Sequence, residues 1–152
     1  MTRDDPVGLC FDCRWKRATS TRRGSVFFRC LRAEADARFA RYPLLPVRDC
    51  PGYEEAMFFV VLVHYTAALP AVDAVRPAHF EHLERYAREG VFRAWARRDP
   101  PTGGVLVAVA PDRTALEAIL ADDPYVRAGV ARTEIVPFNP ANVRGLVVPG
   151  AP

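Results

Sequence analysis

Met57-Phe58-Phe59-Val60-Val61-Leu62-Val63-His64-Tyr65-Thr66 is apolar on both faces of an extended chain. Phe58, Val60 and Leu62 point one way, and Phe59, Val61 and Val63 point the other. A strand of this kind is central in a sheet or has a partner over its second face. After it, Ala67–Val75 reads as a loop, and Arg76-Pro77-Ala78-His79 reads as the start of a helix. Pro77 suits the first helical position, where its missing N–H costs nothing. Phe80, Leu83, Tyr86 and Ala87 recur at helical spacing as the buried stripe, and Gly90 closes the helix.

The rest of this half follows the same punctuation. Val91–Arg98 reads as a second strand, Asp99-Pro100-Pro101-Thr102-Gly103 as a turn, and Gly104–Ala110 as a third strand. Asp112 is the expected cap of a helix over Arg113–Ala121, with Leu116, Ile119 and Leu120 inward. Asp123-Pro124 breaks the chain, a turn runs through Val130, and Arg132–Phe138 reads as the last strand. The order β-α-β-β-α-β is the ferredoxin-like α+β arrangement. Helices cover one face of such a sheet. The other face stays apolar, and a homodimer packed sheet on sheet is the economical way to cover it.

The first third is different. Cys10, Cys13, Cys30 and Cys50 are all the cysteines of the 152-residue chain. A Cys-x2-Cys pair forms a knuckle that grips one metal, and two more cysteines complete a four-thiolate shell. Zinc is the expected occupant. An iron–sulfur cluster satisfies the same ligands, as do two disulfides in an oxidising compartment. Val26–Cys30 reads as a short strand delivering a ligand after the Arg23-Gly24 turn. Tyr42–Val47 reads as a proline-stiffened arm returning Cys50, and Pro51-Gly52 turns the chain out. The expected division is residues 1–56 as the cysteine module, 57–140 as the ferredoxin-like domain and 141–152 as a tail.

Charge follows this division. Residues 1–56 hold 11 Arg and Lys against 8 Asp and Glu, whereas residues 57–152 hold 10 of each. Seven basic residues and no acidic one lie from Arg14 to Arg32, with aromatics interleaved. Such a run serves nucleic-acid binding or offsets the negative charge of a thiolate site. A net charge of only +3 favours the second. No apolar run approaches the ~20 residues of a membrane span. MTRDDPVG is followed by no apolar leader, so a cytoplasmic location is expected. A serine nucleophile elbow, a phosphate loop and a dinucleotide fingerprint are all missing from the sequence.

Residues 57–140 resemble the YCII-related family of small α+β proteins. The resemblance rests on Arg76-Pro77-Ala78-His79, the Gly90 helix end, Thr102-Gly103-Gly104, Asp122-Asp123-Pro124-Tyr125-Val126-x-Ala128-Gly129, and Val136-x-Phe138. It implies a dimeric α/β barrel with a pocket in each subunit and an active site built on His79 and Asp123. Relatives include lactone isomerase-like and dehydrochlorinase-like enzymes, and also domains that bind or regulate. The cysteine module resembles, more loosely, a small bacterial four-cysteine module, which implies metal binding and no assigned chemistry.

A His–Asp pair is the minimum for shuttling a proton, because the carboxylate fixes the imidazole tautomer. In a first helical turn His79 would feel the positive end of the helix dipole, which favours a neutral base. Arg76 is the candidate for a substrate carboxylate, and Tyr125 for lining the pocket and donating a hydrogen bond. Blander roles stand beside these. Asp123 suits the N-cap of the following turn, His79 a half-buried satisfied histidine, and Arg76 an ion pair with an acidic neighbour. His82, three residues after His79, lacks a third metal ligand. His64 reads as a strand-end residue near the pocket mouth, and Trp95 and Tyr65 as packing. The expected activity is an isomerisation or elimination on a small carboxylated or lactone-like molecule. The alternative is a ligand-binding or regulatory dimer whose basic cysteine module contacts nucleic acid or a protein.

Overall fold

The computed structural model describes residues 6–139; the expected tail, 141–152, lies outside them. In the N-terminal segment, strand β1 (Lys16–Ser20) pairs antiparallel with β2 (Val26–Cys30). The turn between them holds Gly24 at φ 84, a conformation that only glycine adopts without strain. β1 has no apolar signature in the sequence, and its partner strand recruits it. Period-2 alternation sets β2, so Phe28 is buried while Phe27 is 57% exposed. The rest is loop and single 3-10 turns, clasped by backbone bonds such as Leu9 N–H to the Val47 carbonyl at 2.8 Å and Cys30 N–H to the Arg41 carbonyl at 2.9 Å.

The C-terminal domain runs β3 (Met57–Tyr65), α1 (Leu69–Arg88), β4 (Phe92–Arg97), β5 (Gly103–Ala110), α2 (Arg113–Ala121), the single turn α3 (Pro124–Arg127) and β6 (Ala131–Phe138). The sheet order is β4-β5-β3-β6, antiparallel throughout. This is the ferredoxin-like arrangement, with β3 central as its two apolar faces require. Phe59, Val61 and Val63 are buried against Val72 and Leu83 of α1 and Leu116 and Leu120 of α2. Asp112 caps α2 by accepting the Ala115 N–H at 2.8 Å. On the opposite face, Phe58, Val60 and Leu62 stand beside Val109, Val107 and Val105 of β5. Phe138 and Val136 of β6 continue that surface, and Val136 is 41% exposed.

The start of α1 departs from the sequence reading. The helix begins at Leu69, with Pro70 in its first turn and Pro77 inside it. Residues 69–75 are therefore helix, not loop. Two prolines carry helix-start signals, and the earlier one is used. Pro77 removes one helical hydrogen bond, which costs about 3 kcal/mol in an isolated helix. Burial of Val72, His79 and Leu83 against the sheet spans the break. His79 consequently lies in the third turn of α1, away from the N-terminal dipole, and the dipole argument for a neutral imidazole falls. At the other end Gly90 adopts φ 73, and the Val91 N–H reaches back to the Tyr86 carbonyl at 2.8 Å, as helix-closing glycines do.

The two parts of the chain meet at this end of α1. Ser20 donates from N–H and Oγ to Glu89. Lys16 Nζ donates to the Phe11 carbonyl at 2.6 Å and lies 3.5 Å from the Gly90 carbonyl. Asp12 pairs with Arg93 of β4, whose guanidinium sits 3.8 Å over the Phe11 ring. Burial first, then the Arg93 charge, pulls Lys16 down to about 8. Among the described residues, no helix is long and apolar enough to cross a membrane.

Candidate active site

Asp123 and His79 are brought together from α1 and the start of α3. Asp123 lies before Pro124, so its backbone is extended. Its Oδ1 accepts the Tyr125 N–H at 2.9 Å, capping α3. The same carboxylate lies 2.8 and 2.9 Å from His79 Nδ1. Asp123 therefore both caps α3 and bonds the imidazole. The pair is buried, with His79 8% and Asp123 2% exposed. Nδ1–H donates to the carboxylate, which leaves the Nε2 lone pair as the free end of the imidazole.

Tyr125 fixes the ring from the side. Its phenol ring stacks on His79 with centroids 3.9 Å apart and planes within 9°. Burial first, and then neighbouring Tyr65, push the Tyr125 hydroxyl up to about 12, so it keeps its proton at neutral pH.

His79 and Tyr125 form one wall of a pocket of roughly 240 Å³. Val63, Phe80, Trp95 and Leu106 supply apolar surface, and Arg76 and Arg97 also line it. Arg76 is exposed, stacks 5.0 Å over the Phe80 ring, and has no carboxylate at ion-pair distance among the described residues. Arg97 is committed, bonding Asp73 at 2.7 Å and the Tyr65 hydroxyl at 3.2 Å. Four candidates from the sequence thus meet here: His79, Asp123, Arg76 and Tyr125. Trp95 and Tyr65, read as packing residues, do pack against the core and line the pocket as well, and Arg97 was not singled out. Its alternation with Trp95 along a strand was the available signal. Every lining residue falls between positions 63 and 125, so the cysteine module adds nothing to this cavity.

The other histidines stand apart. His64 lies 3.2 Å from Glu134 and 3.3 Å from Arg98 and does not line the pocket. His82 packs on the Tyr86 and Phe92 rings. Its Nε2 is buried with no hydrogen-bond partner, and burial lowers its pKa.

None of Cys10, Cys13, Cys30 and Cys50 is joined in a disulfide. Burial first, and then Cys13, Cys30 and Cys50, push the Cys10 thiol up to about 11. As the side chains stand, no group of three or more His, Cys, Asp or Glu among the described residues is arranged to hold a metal ion. Three of the seven residues of the basic run form ion pairs within the module. Arg14 and Arg32 share Glu54, and Arg29 pairs with Glu34.

A family model described as the YCII-related domain matches residues 57–139, more than half of the chain. The chain belongs to the YCII-related domain family. Among solved structures, one titled as the crystal structure of antibiotic biosynthesis monooxygenase is similar, at 22% identity and a TM-score of 0.39. The match covers 55% of this chain and 97% of that one, and at that score it adds no weight to the fold already described. No curated protein matches the chain. The four-cysteine segment lies outside the residues that the family model covers.

Proposed function

We propose that the YCII-related domain is a general acid/base catalyst acting on a small carboxylated molecule, lactone-like or otherwise ring-bearing, by isomerisation or elimination. The observation that carries this reading is the buried His79–Asp123 pair, whose imidazole lies on the wall of an apolar pocket. In this mechanism His79 Nε2 removes a C–H proton next to the substrate carbonyl. The resulting imidazolium is held against the Asp123 carboxylate. The proton then returns to a different carbon, or the electron pair expels a leaving group. Arg76 binds the substrate carboxylate through its guanidinium fork. Trp95, Phe80 and Leu106 take the apolar body, and Tyr125 keeps the imidazole plane fixed. The apolar face of Phe58, Val60 and Leu62 packs against a second copy, giving a homodimer with one pocket in each subunit.

The test follows exchange of the acidic C–H proton in D2O by proton NMR, over a panel of unsaturated five-membered lactones bearing a carboxymethyl group. A positioned base contributes about 10²–10⁴-fold. Exchange by the intact protein, lost by that factor in His79→Ala, is the expected result, with Arg76→Ala raising KM more than it lowers kcat. Exchange unchanged in His79→Ala would overturn the proposal.

A further inference from the structure

The four cysteines come from separate stretches of chain, and the backbone gathers those stretches at one place. A bridge between Gly8 and Val47, with the Leu9 N–H on the Val47 carbonyl, sets the Cys10 turn beside the arm leading to Cys50. A second bridge joins Cys13 to Glu55. The β1–β2 register places Cys30 opposite Lys16, three residues past Cys13. Cys10, Cys13 and Cys30 line a common cavity of only roughly 20 Å³ with Trp15, Lys16, Phe28, Arg29 and Pro43. Cys50 follows three residues after Val47, whose N–H also bonds the Val7 carbonyl at 3.1 Å, so the arm that carries it runs beside the Cys10 turn.

Two features of this cavity point to an anionic occupied site. Lys16 and Arg29 both line it. Arg29 Nε is buried there with no hydrogen-bond partner, although the far end of the same guanidinium pairs with Glu34. A buried N–H without an acceptor is costly, and a thiolate sulfur is an acceptor that would satisfy it. Size sets the kind of occupant. A volume near 20 Å³ is on the scale of one small atom or water. It accommodates a single ion, whereas a multi-iron cluster would force the segment apart.

We propose that Cys10, Cys13, Cys30 and Cys50 bind one Zn²⁺ ion, and that the ion fastens the N-terminal segment onto the C-terminal end of α1. Each thiol re-aims by rotation about a single bond, χ1. Each loses its proton to solvent on binding, so four protons leave as one Zn²⁺ enters. The resulting charge of minus two on the zinc–thiolate group is offset by Lys16 and by the Arg29 Nε–H. The docking contacts lie between the first and third ligands: Asp12 to Arg93, Lys16 to the Gly90 carbonyl, and Ser20 to Glu89. Holding that loop closed holds the dock. This segment buries few large apolar side chains, Phe28 among them, so ligand binding is the natural source of its order.

The test uses the full chain, purified under reducing conditions and analysed for zinc, iron and acid-labile sulfide. Co²⁺ is then exchanged in and the visible spectrum recorded. The expected result is one zinc per chain, no sulfide, and the strong visible bands of tetrahedral cobalt with thiolate-to-cobalt absorption. Cys50→Ser and Cys13→Ser are expected to lose stoichiometric Zn²⁺ binding. Arg29→Gln is expected to keep the stoichiometry and bind about 10–100-fold more weakly, as outer-shell donors do. Iron with sulfide would overturn the proposal, as would a chain that takes up neither Zn²⁺ nor Co²⁺, or Zn²⁺ binding unchanged in both serine variants. If the serine variants fail to fold, the wild-type cobalt spectrum decides, because surface-bound Co²⁺ lacks thiolate absorption.

Discussion

Asp123→Ala removes two interactions from one buried carboxylate, and their sizes can be separated. The first is the N-cap of α3, the 2.9 Å bond from the Tyr125 N–H, worth about 1 kcal/mol. The second is the bond from His79 Nδ1 at 2.8 Å. It is charge-assisted and almost wholly buried, and its loss leaves an N–H without an acceptor, at about 2 kcal/mol. The expected total is about 3 kcal/mol. Asp123→Ser retains a capping oxygen but is too short to reach the imidazole, so it is expected to recover about 1 kcal/mol of this. In a His79→Leu background only the cap remains to be lost. The coupling in the His79/Asp123 double-mutant cycle is therefore expected at about 2 kcal/mol. Urea unfolding of the four proteins at pH 7, with equal m-values, measures it. Effects additive to within about 0.5 kcal/mol would refute the reasoning, because the two side chains would then not be partners.

Lys16 predicts a pH effect whose sign is unusual. Its ordinary pKa of 10.5 is pulled down to about 8, so between these values the unfolded chain holds a proton that the folded chain lacks. In the metal-free chain, stability attributable to Lys16 therefore rises from about pH 8 to 10.5, by up to about 3 kcal/mol, and urea unfolding of wild type against Lys16→Met with a chelator present should show the gap changing by that amount. Gly103→Ala would place a Cβ 1.9 Å from the Val63 carbonyl oxygen, so it is expected to destabilise by at least about 2 kcal/mol in the same assay. Asp73→Ala breaks only an exposed pair with Arg97 and should change stability by less than about 1 kcal/mol. Val60→Glu puts a charge in the middle of the open sheet face, and light scattering should show the proposed dimer replaced by monomer.

Much of the domain from Met57 to Phe138 was legible because its signals are local and agree. An uninterrupted apolar strand, Asp112 before a helix and Gly90 after one each have a single physical meaning. Pro77 was misleading for the same local reason. Its sequence context permits a helix start, and only the packing of Val72 and Leu83 on the sheet shows that the helix runs through it. β1 was invisible because Lys16–Ser20 is a strand through its pairing with β2 alone. At the site, His79 and Asp123 carried chemistry that their types announce, and Arg76 and Tyr125 lay beside them in sequence. The place of Trp95, Tyr65 and Arg97 in the pocket wall was missed, although Trp95 and Tyr65 pack on the core as read, because alternation gives a residue's face but does not say whether that face also meets a cavity.

Helix α1 ties the two assemblies together while keeping them apart. His79 lies in its middle, and the contacts with the cysteine module lie at Glu89 and Gly90, ten residues later, or about 15 Å along the axis. No residue before Val63 lines the His79 pocket. The cysteine module therefore bears on the pocket only indirectly, through α1, β4 and the chain that enters β3. A helix packed on a sheet shifts as a unit if it shifts at all. Loosening the module at Gly90 is therefore expected to lower stability without rearranging the His79–Asp123 pair, whose geometry is fixed independently by the α3 cap and the Tyr125 stack.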